Sequence, residues 1–415
     1  MMPGANMKID TNIKLPLSFI LFALIAFVVA QIILFFSSGE LVAGQFRQPD
    51  IWMGAHFLLL GFAVMIAMGA MYQLVPVAFL TPIWSQTFGF IQFFVTAIGV
   101  TAFAILLGVK PNIAVYGGAV VVIGVLMFIL QMVITISKQE KRNMMTYFVM
   151  GAISCFFLTI IAGFLLAWNI AFGSINQHNT ILATHVLLGV AGWFTLLIFG
   201  FSYKLVPMFS LSHGFSMKWA KPAFVTYVVG LISLILSFWL NNGLIQTIGW
   251  FIVMIGFLFF FFDVKEILAK RVKKKLDKSF AFAILAIFIG LGIHVVAFVV
   301  SLIGISDQAT WSWLIFLYIM GWIVFSILGY LNKIVPVLWW TYKYADHVGK
   351  EKVPLLKDMI NERWNLILFS LFIICVLGLV LSALLQLGIL VWIFQGLLTI
   401  TTLLYTLAVI RILFV

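Results

Sequence analysis

HVLLGVAGWFTLLIFGFSYKLVP, from His185 to Pro207, recurs in outline twice more, as HFLLLGFAVMIAMGAMYQLVP (His56 to Pro76) and IMGWIVFSILGYLNKIVP (Ile319 to Pro336). Counting back from each proline, a glycine stands seven residues earlier (Gly69, Gly200, Gly329) and another fifteen earlier (Gly61, Gly192, Gly321). The second is followed by Phe62, Trp193 or Trp322, and the position three before the proline holds Gln73, Lys204 or Lys333. Glycines eight apart lie on nearly one face of a helix, where the missing side chain lets another helix or a flat ligand come close. A pattern repeated at about 130 residues sets the architecture before any single element does. It predicts three units, 9–140, 141–275 and 276–415, each placing its copy on the second of four helices.

The composition supplies the setting. Of 415 residues, 64% are hydrophobic and 9% charged, where a soluble globule carries about a quarter charged residues. The chain is expected to be an all-α polytopic membrane protein, one transmembrane domain over 1–415. Spans of about 20 apolar residues are needed to cross the hydrocarbon. Twelve are predicted, at 16–38, 51–76, 84–108, 113–137, 144–172, 180–207, 217–240, 244–267, 279–304, 311–338, 364–386 and 388–413. The three copies are therefore the second, sixth and tenth spans, expected innermost about a pseudo-threefold axis along the membrane normal.

Basic residues indicate the orientation, because short loops rich in Lys and Arg stay in the cytoplasm. KQEKR follows the fourth span, KEILAKRVKKKLDK the eighth, and Lys343, Lys350, Lys352, Lys357 and Arg363 the tenth. The alternate loops are nearly uncharged apart from Glu40, Arg47 and Asp50. The expectation is a plasma-membrane protein with both termini cytoplasmic, residues 1–15 being a short polar leader. The formal charge of +12 then marks topology and contact with anionic lipid, not nucleic acid. Cys155 and Cys375 form no CxxC pair and read as small buried hydrophobes.

Ionisable residues inside a span are candidates for function. His56 and His185 lie near the outer ends of the second and sixth spans. His294 lies fifteen residues into the ninth, about 22 Å across at 1.5 Å per residue, and so at similar depth. Imidazole at apolar depth suits haem iron or copper, which makes His56, His185 and His294 the candidate cofactor and metal ligands. His178 reads as a loop histidine, His213 and His347 as exposed, Lys204 and Lys333 as interfacial anchors, and Asp263 as close enough to the inner surface to be solvated. Met65, Met68 and Met71 form an i, i+3, i+6 stripe that reads as core, or less readily as a path for a soft metal.

Twelve spans in three units, histidines at the outer ends of the second and sixth, and the Gly-x(6)-Pro pattern resemble haem-copper oxidase subunit I. Among its relatives, HFLLLGFAVMIAMGAMYQLVP, THVLLGVAGWFTLLIFGFSYKLVPMF and GWIVFSILGYLNKIVPVLWW are most similar to the reduced, oxidase-like NnrS group, membrane proteins associated with haem and nitric oxide stress. The resemblance implies that His56 is an axial haem ligand. It departs at the tenth span, where the oxidases' two histidines fall on Leu314 and Phe316. The sixth span also lacks the cross-linked tyrosine pattern and the seventh the His-His pair, which removes oxygen reduction at a haem-copper centre. No acidic relay for proton pumping is apparent.

The implied function is a haem-binding membrane protein, with b-type haem and copper the lesser option, acting in redox chemistry or nitric oxide response. Its partners are the lipid bilayer, haem, and nitric oxide or another diatomic gas; as an enzyme it would be an oxidoreductase. The alternatives are a haem or copper carrier in the membrane and a degenerate subunit without cofactor. A cysteine at Lys274 in otherwise unchanged protein is expected to react with impermeant reagents only from the cytoplasmic side; labelling of intact cells from outside would reverse every depth assigned above.

Overall fold

The computed structural model describes residues 11–415. The start of the predicted leader, and of the first unit at residue 9, lie outside the described residues. Twelve helices are long and apolar enough to cross a membrane: α1 Lys14–Phe36, α2 Pro49–Phe79, α3 Gln86–Val109, α4 Pro111–Ser137, α5 Met144–Phe172, α6 His178–Ser210, α7 Ala220–Leu240, α8 Gly243–Ala269, α9 Lys278–Leu302, α10 Gln308–His347, α11 Glu362–Leu384 and α12 Gly388–Phe414. Only isolated β-bridges occur among the described residues. In hydrocarbon a helix satisfies its own backbone groups, and an all-helical chain follows from that constraint.

Nine helices form a closed ring in which each packs on the next: α1, α3, α4, α5, α7, α8, α9, α11, α12 and back to α1. The remaining three, α2, α6 and α10, are the most buried, with 67, 61 and 72% of their central windows covered against at most 50% elsewhere.

The paired glycines account for this packing. A Cβ on Gly61 would come 2.8 Å from that of Ala26, and one on Gly69 would come 2.8 Å from that of Phe19, both on α1. On α6, Gly192 meets Cys155 at 2.9 Å and Gly200 meets Phe148 at 3.0 Å, both on α5. On α10, Gly321 meets Ile289 at 3.1 Å and Gly329 meets Ala283 at 2.8 Å, both on α9. Each inner helix thus lies tight against the ring helix that precedes it. The aromatic residue after the first glycine reinforces two of these seams. Phe62 stacks on Phe27 at 4.1 Å, and Trp193 stacks on Phe156 at 4.4 Å. Trp322 instead lies against Gly290, where a Cβ would meet its ring at 2.9 Å.

The inner helices share a second feature that the sequence does not announce. Each widens into a π-helical stretch, Phe57–Val64, Leu187–Phe194 and Tyr318–Val324, beginning 18 to 20 residues before its proline. Such turns are rare and concentrate at functional sites. The second and sixth predicted spans end at Pro76 and Pro207 and the tenth two residues past Pro336, but all three prolines stand inside longer helices. α2 and α6 run three residues beyond Pro76 and Pro207 to left-handed Leu80 and Leu211, and α10 continues well past Pro336. A proline costs the bond to the carbonyl four residues back, and at α2 that carbonyl, on Tyr72, accepts from the Thr11 hydroxyl at 3.1 Å instead.

At the basic end, Lys204 is exposed, but Lys333 does not reach for the headgroups. Its side chain is 17% exposed and pairs with Asp277, which also holds Lys273. Burial pushes the Asp277 carboxyl up, yet the two ammonium groups outweigh it and hold the carboxyl below its ordinary value.

Gly329→Ala is expected to destabilise the protein by about 1–3 kcal/mol, because its Cβ meets backbone as well as Cβ of Ala283. Gly292→Ala on α9, with nothing within 4 Å, should stay within about 0.5 kcal/mol. Equal thermal unfolding midpoints for the two variants would contradict the packing seam.

Candidate functional site

Between the inner helices, toward the end of the molecule with few charges, lies a cavity of about 850 Å³. Ligand sites commonly measure about 300–1,000 Å³. His56 and His185, on different inner helices, both line it. His56 is the residue immediately before the π stretch of α2, and His185 stands two residues before that of α6.

Each imidazole is oriented by backbone. His56 Nδ1 lies 2.8 Å from the carbonyl of Trp52, one turn earlier on α2. His185 Nδ1 lies 2.9 Å from the carbonyl of Thr159 on α5. A carbonyl only accepts, so the proton sits on Nδ1 and Nε2 keeps its lone pair. Neither Nε2 has a hydrogen-bond partner among the described residues, and neither is a buried orphan. These are bare nitrogen donors in contact with the cavity. The His56 ring meets Phe103 edge-on at 5.2 Å. The His185 ring lies against Gly163, where a Cβ would come within 2.8 Å of Cε1. Gly163 therefore cradles this imidazole.

His294 is placed differently. It is completely buried and does not line the cavity. Its Nδ1 donates to the Gly290 carbonyl at 2.7 Å, while Nε2 lies 3.2 Å from the Tyr227 hydroxyl and 3.3 Å from that of Tyr318. The Tyr318 hydroxyl also meets Thr195 Oγ1 at 2.7 Å, Thr195 accepts from Trp322 Nε1 at 3.1 Å, and Tyr227 donates to the Ala191 carbonyl at 3.2 Å. Ala191 belongs to the π stretch of α6, Tyr318 and Trp322 to that of α10. This polar knot joins the two widened turns, and both nitrogens of His294 are spent in it. The structure thus brings His56 and His185 to one cavity and leaves His294 behind its wall, with Tyr318 between them.

Two other sequence expectations, for His178 and Asp263, are corrected, while the buried methionine stripe and the exposed His213 and His347 are as expected. His178 opens α6 instead of sitting in a loop, meets the Asn169 amide at 3.0 Å and lines the cavity. Asp263 is 1% exposed, not solvated, because Tyr203 donates to one oxygen at 3.0 Å and the Trp219 amide to the other at 3.1 Å. Met65, Met68 and Met71 are fully buried away from the cavity. Met68 Sδ accepts from Gln92 at 3.5 Å. His213 and His347 are exposed. The α10 wall at the depth of the histidines is Leu314, Ile315 and Phe316.

At the mouth, Arg47 donates to Asn179 Oδ1 at 2.9 Å. No group of three or more His, Cys, Asp or Glu side chains able to hold a metal ion occurs among the described residues. Compared with known proteins, the chain matches no protein-family model, and no curated protein matches it significantly. Fold and site together define a polytopic helical membrane protein with an imidazole-lined cavity.

Nitrogen NMR of histidine-labelled protein is expected to show His56 and His185 protonated at Nδ1 and bare at Nε2. Gly163→Ala should shift the His185 signals and spare those of His56; Nε2–H tautomers in the unmodified protein would contradict the assignment.

Proposed function

We propose that the chain is a haem-binding integral membrane protein of oxidase-like architecture, acting in redox chemistry or in the response to nitric oxide. The single observation that carries this reading is the pair of bare Nε2 atoms lining one cavity of about 850 Å³. An unaided metal ion needs three or four protein ligands, whereas haem brings four ring nitrogens of its own and would ask the protein for one or two more. Two imidazoles on different inner helices, lining one largely apolar cavity, fit that demand. When bound, b-type haem would supply an iron that exchanges electrons and takes a diatomic gas.

In this reading His56, fixed by its own helix, would hold the haem iron through Nε2. His185, fixed through the neighbouring helix, would be a second ligand to the group or would face a gas bound to it. Thr159 and Trp52 hold the tautomers, as outer partners of metal-bound histidines do. Leu314 and Phe316 stand on α10 where the oxidases' two histidines fall, so oxygen reduction is not part of the proposal.

The same reading takes units 9–140, 141–275 and 276–415 as related about a pseudo-threefold axis. The matching glycine contacts, π turns and ring order support it. It also places the chain in the plasma membrane, with the basic loops and both termini in the cytoplasm.

Protein purified from haem-replete cells is expected to show a Soret band. His56→Ala should abolish or shift it, and His185→Ala should leave a five-coordinate spectrum if both histidines bind. His294→Ala should leave the band position unchanged, because that imidazole is already committed on both nitrogens. Wild-type protein without Soret absorbance, or a band lost with His294 alone, would overturn the assignment.

A further inference from the structure

Residues 37–48 join α1 to α2 at the end of the molecule with few charges, and Leu41, Phe46 and Arg47 of this segment line the cavity. Gly304, Ser306 and Gln308, exposed residues between α9 and α10 or at the start of α10, line it too. The mouth is therefore at this end.

The segment is built in two parts. Ser38–Val42 forms a five-residue helix, and Leu41, 3% exposed, sits in an apolar cluster with Leu34, Ile51 and Trp313. That part is anchored. The remainder, 43–48, turns at Gly44, which is left-handed at φ 67°, and its backbone hydrogen bonds stay within residues 39–52. Only side chains carry it further. Phe46 meets Trp313 of α10 edge-on, with 5.2 Å between ring centroids. Arg47 donates to Asn179 Oδ1 of α6 at 2.9 Å, the one hydrogen bond that leaves 43–48 among the described residues.

These two contacts cross the cavity. The segment is rooted on α2 and reaches α6 and α10, the other two inner helices. Arg47 stands nine residues before His56 and Asn179 six before His185, so the hydrogen bond ties together the ends of the two histidine-bearing helices. Both contacts are weak. An exposed hydrogen bond competes with water and contributes little net, an edge-on ring pair adds modestly, and segments held in this way are the ones that open locally. Gly44 supplies a turn that other residues rarely adopt, and neither it nor Gly39 has anything within 4 Å of a would-be Cβ. The turn has room to move.

We infer that residues 43–48 are a lid on the histidine cavity, latched by the Arg47–Asn179 hydrogen bond and the Phe46–Trp313 contact, whose opening admits and releases the occupant. The inference concerns access and does not require the occupant to be haem. Failure of the lid leaves the haem reading standing, and absence of a Soret band leaves the lid standing.

The test is the rate at which diethyl pyrocarbonate, a small reagent that acylates an unprotonated imidazole nitrogen, modifies His56 and His185 in detergent-solubilised protein. Peptide mass spectrometry reads the adducts, with exposed His213 as the internal standard. Arg47→Ala and Asn179→Ala should each raise the rate at both cavity histidines roughly three- to tenfold, and the double variant should be no faster than either single one, because the two act through one bond. Phe46→Ala should also raise it. Arg47 and Asn179 are exposed, so both single variants should keep the wild-type unfolding midpoint. In the reverse direction, Arg47→Cys with Asn179→Cys, bridged by a short bifunctional methanethiosulfonate, should react more slowly than wild type and recover on reduction. Unchanged rates at His56 and His185 in both single variants, rates that multiply in the double variant, a matching rise at His213, or a bridged protein that reacts as fast as the unbridged one would each overturn the lid.

Discussion

Close contact between each inner helix and the ring helix before it is the constraint on which the rest of the structure depends. Apolar side chains do not drive helices together in lipid, because the tails are as apolar as leucine. Van der Waals fit must do it, and fit at 2.8–3.1 Å from a would-be Cβ is open only to glycine. Six glycines in three pairs hold α2, α6 and α10 inside a ring of nine helices. Their removal from lipid contact is what makes a shared interior at all.

The interior then divides by chemistry. Toward the end with few charges, the inner helices widen into π stretches and stand apart, leaving the cavity. Where the widened turns of α6 and α10 approach each other, the space is filled by Thr195, Tyr227, His294, Tyr318 and Trp322, each bonded to another of the group. A polar group costs most when buried and unpaired, and a satisfied network of this kind fixes the relative position of three or more helices. His56 and His185 are the opposite case. Each commits one nitrogen to backbone and leaves the other facing empty space. The contrast between spent and unspent imidazole separates His294 from His56 and His185.

Much of this was legible in the sequence. The number of spans, the inner position of the glycine-bearing helices and the candidacy of His56 and His185 follow from hydropathy, spacing and the cost of ionisable groups in hydrocarbon. Other features were hidden because they depend on partners distant in sequence. His294 looked equivalent to His56 by depth, and only the hydroxyls of Tyr227 and Tyr318, 67 and 24 residues away, show that it is satisfied. Asp263 looked solvated by position, yet Tyr203 and the Trp219 amide enclose it. The π stretches carry no residue signal beyond their place before the prolines, and the second and sixth spans were closed at Pro76 and Pro207 because the carbonyls these prolines orphan were not visible. The Thr195 hydroxyl within an apolar span was the available sign of the side-chain partners around it, whereas the Trp52 and Thr159 carbonyls that hold His56 and His185 are backbone groups that any residue supplies.

What occupies the cavity beside His56 and His185 decides the haem reading most directly. An experimental density map of protein purified from haem-replete cells should show a flat macrocycle between α2 and α6, with its metal in contact with His56 Nε2. A map in which the cavity is as seen here and holds no planar density, or in which such density is bound by His294 instead, would contradict it.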